Sequence, residues 1–410
     1  VNPRRVVVTG LSVATALGFE LEEFWQRLLA GESGIARLPY ATDDSPFPTK
    51  IAGQIPHAAL ESALTRWNLE DPDRANQLAL CVVAQALASA GLPTDGKTAL
   101  DHDLIFGTGH GNGSFQNEAA HTFHSLGYRK LRPTTVVRLM FNRPANIASI
   151  RFKLTGASHV VSCACATGAI AFSEAFLRVR FGLADAAIAA CADSGLDPAT
   201  FAAWNRLGVL SRNPDPSRAC RPFDSARDGL VMGEGGAAFV LETLEGAQAR
   251  GAKLWAEVLG TGMSCDALHI VQPDSAGQLK AVGKAMAMAG VPPDQLDYVN
   301  AHGTATMIAD AVEAATLREF LGLGAVRIPV SNTKAQLGHL MGATAGVELA
   351  VTILALRHGL LPACRNLDDP DPQCALNFVL GEPRTAKVHI ALKNSFAFGG
   401  TNCAVVLKRP

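Results

Sequence analysis

The chain has 410 residues, of which 48% are apolar and 18% charged, so a disordered chain and a coiled coil are both excluded and a large buried core is expected. Thirty-six Lys and Arg against thirty-seven Asp and Glu leave a formal charge of −1, which gives no global field to hold nucleic acid or an anionic membrane. Apolar stretches stay short and Val1–Gly10 carries no signal-peptide pattern, so the expectation is a soluble cytoplasmic protein that does not enter a membrane.

In chain order, Gly-bounded β-rich runs predict strands at Arg5–Thr9, Asp103–Gly107, His159–Ala164, Ala186–Ala190 and Ala237–Leu241, then at Ala256–Gly260, Asp297–Ala301, Arg327–Ser331, His389–Lys393 and Cys403–Leu407. Helix-like runs separate them, which makes the fold α/β with largely buried sheets. Two helices, Ala166–Val179 and Gly342–Leu356, are apolar on nearly every side and are expected between layers. VVSCACATGAIAFSEAF and PVSNTKAQLGHLMGATAGVELAV both run strand, Gly-containing turn, small-residue helix, and the strands AAFVLE and CAVVLK close the two halves. That period far exceeds the ~20–50 residues of a solenoid, so one duplicated α/β unit with pseudo-twofold symmetry is expected. Its halves are placed at 1–250 and 251–410, with long insertions at Asn112–Ser149 and Asp197–Arg227 in the first.

None of the nine cysteines forms a C-x-x-C pair, so neither a disulfide framework nor structural zinc is expected. Most sit in apolar strings as small buried hydrophobes. Cys165 differs, because an apolar strand delivers it to a turn from which a helix starts. The positive end of a helix dipole favours thiolate there, which predicts a pKa lowered from about 8.5 toward neutrality and a nucleophile. His302 in YVNAHGTAT and His339 in SNTKAQLGHLMGATAG each follow an apolar strand on a Gly-flanked turn, with Lys334 nearby in sequence. If the halves face one another, these turns and the Cys165 turn converge on one pocket.

These residues resemble the β-ketoacyl-acyl-carrier-protein synthase II (ketosynthase) family of the thiolase superfamily. The resemblance runs through RRVVVTGL, WQRLLAGESGI, ACATG, RPFDSARDGLVMGEGGAAFVLE, GMSCDALH, VNAHGTAT with Asp310 and Glu313, SNTKAQLGHLMGATAGVE and NSFAFGGTNCAVVL, over essentially the whole chain. It implies a thiolase-like fold of layered α-β-α-β-α arrangement and a decarboxylative Claisen condensation. By that resemblance Cys165 accepts an acyl chain as a thioester, with the Cys165 and Phe398 backbone N–H groups as oxyanion hole. His302 and His339, both neutral, stabilise the enolate formed when malonyl-carrier protein loses carbon dioxide. Lys334 and Glu313 are implied to be a supporting pair, Thr304 and Thr306 to hold the phosphopantetheine arm, and Phe396 to touch substrate. Phe398, beside Ala397, Gly399 and Gly400, is the implied gate. No metal and no further cofactor is implied, since the carrier protein's phosphopantetheine brings the substrates. Arg129, Lys130, Arg206 and Arg212 match segments that dock the acidic carrier protein, and the segment before Cys165 implies a homodimer or a heterodimer with a related chain.

The departures from the family pattern bear on substrate. His110 in GTGHGNGS stands where a small apolar residue commonly sets the depth of the acyl pocket, or else it only bonds the opposite loop. RLMFNRPANIAS, Ala335 and Val271 are also unusual, which leaves fatty-acid synthesis and a discrete type II polyketide or polyene pathway both open. A non-catalytic chain-length-factor-like subunit is the alternative, opposed by the retained Cys165, His302 and His339. A thiolase proper is opposed by GHLMGATAG.

Overall fold

The computed structural model describes residues 3–410. The Val-, Ile- and Ala-rich runs become β1 (Val6–Ala14), β2 (Asp103–Gly107), β3 (Ser158–Val161), β4 (Ala186–Asp193), β5 (Gly235–Thr243), β6 (Ala256–Cys265), β7 (Tyr298–Asn300), β8 (Val330–Ser331), β9 (Ile390–Phe396) and β10 (Thr401–Lys408). All ten sequence-predicted strands are present, and they form one sheet in the order β8-β7-β9-β10-β6-β1-β5-β4-β2-β3. Two pairs of two-residue strands, Ala36–Arg37 with Ile51–Ala52 and Leu360–Leu361 with Arg384–Thr385, are additional. Runs that short carry no readable alternation.

The sheet records a duplication. Counted within its own half, each set of five strands runs third, second, fourth, fifth, first from the edge to the middle. β2 pairs parallel with β3 and β4, and β5 antiparallel with β4 and β1. In the second half β7 pairs parallel with β8 and β9, and β10 antiparallel with β9 and β6. The halves join where β1 and β6 pair antiparallel, Val6 opposite Val258, as a twofold axis between them requires.

The helices that bear on the site include α1 (Arg74–Ser89), α2 (Gly113–Leu126), α3 (Thr167–Arg180), α4 (Pro198–Leu207), α5 (Ser275–Ala289), α6 (Met307–Leu321) and α7 (Thr344–His358). Side chains alternate across the strands, so one face of each half meets α3 and α7 and the other meets an outer layer. Ala187, Ala189 and Cys191 of β4 pack with the central helices, whereas Ile188, Ala190 and Ala192 pack with α1. Cys403, Val405 and Leu407 of β10 likewise face the centre, and Ala404 and Val406 face α5 and α6. The result is the expected helix, sheet, helix, sheet, helix layering.

The two central helices cross at glycines. A Cβ on Gly168 would lie 2.6 Å from the Gly346 nitrogen, and one on Gly346 would lie 2.3 Å from Cys191 Sγ. This close approach brings the N-terminal ends of α3 and α7 together, and the turns that precede them hold Cys165 and His339. No helix among the described residues is long and apolar enough to cross a membrane.

Candidate active site

After β3 the chain turns through Ala164, which takes the left-handed φ of 46°, a conformation uncommon for a residue with a Cβ. Thr167 fixes the turn: its Oγ1 accepts from the Cys163 N–H and donates to the Ala164 carbonyl, both at 2.7 Å. Cys165 is thereby held, 8% exposed, just ahead of α3. In the second half Met341 repeats the strained φ, at 51°, so Gly342 occupies the place that corresponds to Cys165. A Cβ at Gly342 would lie 2.7 Å from Asp193 Oδ2. The second copy of the turn is packed shut and supplies His339 instead.

His302 follows β7 and His339 follows β8 by way of the short helix Lys334–Leu337. One donor atom from each of Cys165, His302 and His339 lies within 4.8 Å of the other two. The predicted convergence is therefore present. The two imidazoles stand edge to face, ring centroids 5.7 Å apart.

The hydrogen bonds assign both tautomers. His339 Nδ1 accepts from the Met341 N–H at 3.0 Å and lies 3.1 Å from the Thr344 hydroxyl, so its proton sits on Nε2. His302 Nδ1 faces the Lys334 ammonium at 3.4 Å, which leaves its proton on Nε2 as well. Neither Nε2 has a protein partner. Burial first, then the charge of Lys334, holds both imidazoles well below the ordinary histidine range, so both are neutral N–H donors. The same three residues have the spacing of a metal site. A cation there would have to displace the two Nε2 protons beside the Lys334 charge, so the donor set suits a developing oxyanion better.

The thiol corrects an expectation. Burial pushes Cys165 up to about 11, against the pull of the Lys334 charge and of the Phe398 and Cys165 backbone N–H groups. Loss of solvent outweighs the favourable end of α3, so the resting group is a thiol. Those two N–H groups do face the sulfur, as the implied oxyanion hole requires.

The supporting ion pair is a second correction. Lys334 pairs with Glu348 at 2.5 Å, not with Glu313, and also donates to the His302 carbonyl. The other Glu348 oxygen takes Lys393 at 2.8 Å. Glu313 instead accepts from the backbone N–H groups of His302 and Gly303, each at 2.7 Å, which fixes the His302 turn. Burial raises its carboxyl to about 7 against those donors. Glu348 and Lys393 were missed by sequence reasoning, although each is the one charge in a largely apolar stretch, AGVELAV and IALKNSF.

A cavity of about 370 Å³ opens onto Cys165, His302 and His339. Thr304 and Thr306 line it with hydroxyls 2.9 Å apart, and Phe396 lies edge-on to His302. Phe398 stacks on Trp204 at 6.2 Å, next to Gly399 with φ 82°. His110 does not line this cavity. Its Nδ1 lies 3.5 Å from Asp193 and its Nε2 accepts from the Trp204 indole at 3.2 Å, so of the two readings the bond to opposing loops is the one present. Arg206 and Arg212 are exposed on either side of the rim residues Gly208 and Val209. Arg129 and Lys130 are exposed in a short turn after α2 and border none of the cavity.

Residues 3–247 match the family model of the β-ketoacyl synthase N-terminal domain, and residues 255–368 that of its C-terminal domain. The chain belongs to the β-ketoacyl synthase family. It is 35% identical to 3-oxoacyl-[acyl-carrier-protein] synthase 2 of Synechocystis over 99% of this chain and 98% of that protein. The Coxiella burnetii synthase of the same name is 36% identical, with 99% of both chains covered. Among solved structures, the ishigamide ketosynthase/chain length factor superposes with a TM-score of 0.91 at 32% identity over all of both chains. A β-ketoacyl synthase from Burkholderia phymatum gives 0.89 at 32% identity, over 99% of this chain and 100% of that one. A type II polyketide synthase complex of an acyl-carrier protein with its ketosynthase bound to the hexaketide gives 0.92 at 25% identity, again over all of both chains.

Proposed function

We propose that the chain is a β-ketoacyl-acyl-carrier-protein synthase, an acyltransferase that extends a Cys165-bound acyl group with the two carbons left when a malonyl-carrier protein is decarboxylated. The observation that carries this reading is the meeting of one buried thiol and two neutral, unpartnered Nε2–H donors at the foot of one cavity.

In the first half-reaction Sγ of Cys165 attacks the thioester carbonyl, the carbon–sulfur bond to the phosphopantetheine arm breaks, and the thiol proton goes to the departing sulfur. The N–H groups of Cys165 and Phe398 stabilise the oxyanion. In the second, His302 and His339 donate to the malonyl thioester oxygen, carbon dioxide leaves, and its bonding electrons become the enolate. The enolate carbon then attacks the Cys165 thioester, and the cysteine sulfur departs as thiolate and takes a proton from solvent, which restores the resting thiol. Lys334, anchored by Glu348, holds the Nδ1 side of His302 and keeps its donor aimed at the cavity. Thr304 and Thr306 hold the arm, Phe396 packs beside it, and Phe398 swings between the two half-reactions on its glycine hinge.

The reading needs no metal and no cofactor beyond the phosphopantetheine of the carrier. Arg206 and Arg212 at the rim, with Arg129 and Lys130 further off, present positive charge to an acidic carrier. Exposed Phe123, Tyr128, Val136 and Phe141 support pairing with a second ketosynthase-type chain, identical or related. We place the enzyme in the cytoplasm, in fatty-acid synthesis or in a dissociated polyketide or polyene pathway. A chain-length-factor-like role is disfavoured by the complete Cys165, His302 and His339 set. The test is mass analysis of the carrier after incubation with acyl- and malonyl-carrier proteins: a β-ketoacyl product longer by two carbons is expected, and no product sinks the reading.

A further inference from the structure

Lys393 is the one cation of β9, and it is fully buried. It does not line the catalytic cavity. Its ammonium bonds Glu348 Oε2 at 2.8 Å and the Asn394 carbonyl. Burying an ammonium is costly, and Glu348 already has a counter-charge in Lys334 at 2.5 Å, so the pair does not require a second cation for its own balance. The surplus cation points to a task for Lys393 beyond neutralising Glu348.

Counting donors shows what that task is. An ammonium has three donors and no acceptor. Those of Lys334 are spread over Glu348 Oε1, the His302 carbonyl and His302 Nδ1, the last at 3.4 Å. The contact to Nδ1 is the longest of the three and the easiest to lose. A carboxylate with both oxygens free can take two donors of one ammonium, but Oε2 of Glu348 is held by Lys393. Lys334 therefore has only Oε1 to bond, and its other donors stay on His302. A donor at Nδ1 keeps the imidazole proton on Nε2. Without it the proton can move to Nδ1, and Nε2 becomes an acceptor that repels an enolate oxygen. His339 has no such dependence, because the Met341 N–H fixes its Nδ1 as an acceptor.

Resting on the synthase reading, we propose that Lys393 is a positioning residue for decarboxylation: by holding one oxygen of Glu348 it directs the donors of Lys334 to His302 and keeps the His302 proton on Nε2. Lys393→Met removes the donor at similar volume and leaves Lys334 and Glu348 paired, so the fold should persist. The experiment records nitrogen NMR spectra of the parent and of Lys393→Met, both carrying isotope-labelled histidine, with the His302 signals identified by their absence from His302→Ala. It also measures carbon dioxide release from malonyl-carrier protein and acyl transfer to Cys165. The parent should carry the His302 proton on Nε2. In Lys393→Met the His302 signals should move toward the Nδ1–H tautomer while those of His339 stay in place. Carbon dioxide release should fall about tenfold or more, toward the loss expected for a missing oxyanion donor, with acyl transfer at the parental rate. An unchanged His302 tautomer or undiminished carbon dioxide release in Lys393→Met overturns this inference and leaves the synthase reading intact. So does a His302 proton on Nδ1 in the parent, a result that needs no variant to fold. A parent that neither releases carbon dioxide nor acylates Cys165 overturns both.

Discussion

Glu348 lies 2.5 Å from Lys334 through one carboxylate oxygen, and its second oxygen holds Lys393 at 2.8 Å. One anion beneath the histidines thus balances two buried cations. Glu348→Gln leaves both ammonium groups without a counter-charge, and breaking a buried pair in this way costs roughly 3–5 kcal/mol. Denaturant unfolding should show a midpoint lowered accordingly, together with loss of condensation. A midpoint equal to that of the parent would mean that the pair does not hold the site together.

The two half-reactions should separate by substitution. His302→Ala and His339→Ala each remove one donor to the enolate oxygen, and loss of such a donor lowers turnover by roughly 10²–10³-fold. Carbon dioxide release from malonyl-carrier protein should fall by that factor while the Cys165 thioester still forms. Cys165→Ala should do the reverse, abolishing the thioester and leaving decarboxylation measurable. The opposite pattern exchanges the roles.

Both histidines are held neutral well below the ordinary range, and the thiol is raised to about 11. Below its pKa a thiol supplies ten times more thiolate per unit of pH. Alkylation of Cys165 by iodoacetamide should therefore keep climbing through pH 7–9 without a plateau. A plateau near neutrality would reveal a thiolate paired with imidazolium. In Cys165→Ala, decarboxylation should show no acid-side loss centred near 6.5, because imidazoles whose pKa is depressed remain neutral as the pH falls through that value.

Gly168→Ala places a methyl group 2.6 Å from the Gly346 nitrogen, where the central helices cross. Overpacking of this kind costs about 1–3 kcal/mol. Because α3 follows Cys165 and α7 follows His339, the same change should slow acyl transfer as well as lower the melting temperature. An unchanged melting temperature would show that the helices can part without cost.

Much of this was legible from residue type and period. The ten strands are legible as short β-rich apolar runs bounded by glycine, and the two all-round apolar helices could only lie between layers. Cys165, His302 and His339 were legible because each stands on a turn after an apolar strand. The partner of Lys334 was not, because Glu313 and Glu348 are both carboxylates on nearby helices. Only the direction of α6, which aims Glu313 at the His302 backbone, leaves Glu348 to the lysines. The thiol differs for a related reason: sequence shows the helix that follows Cys165 but not the depth at which it begins. His110 was ambiguous until Trp204, far away in sequence, was seen to bond it.

The division of labour between one sulfur and two imidazoles is tested most directly by peptide-level mass spectrometry of the parent protein and of His339→Ala, each exposed to an acyl-carrier protein. The acyl mass is expected on Cys165 in both proteins, with carbon dioxide release from malonyl-carrier protein retained only in the parent. An unmodified Cys165 in the parent, or an acyl group mapped to another cysteine, would contradict the assignment.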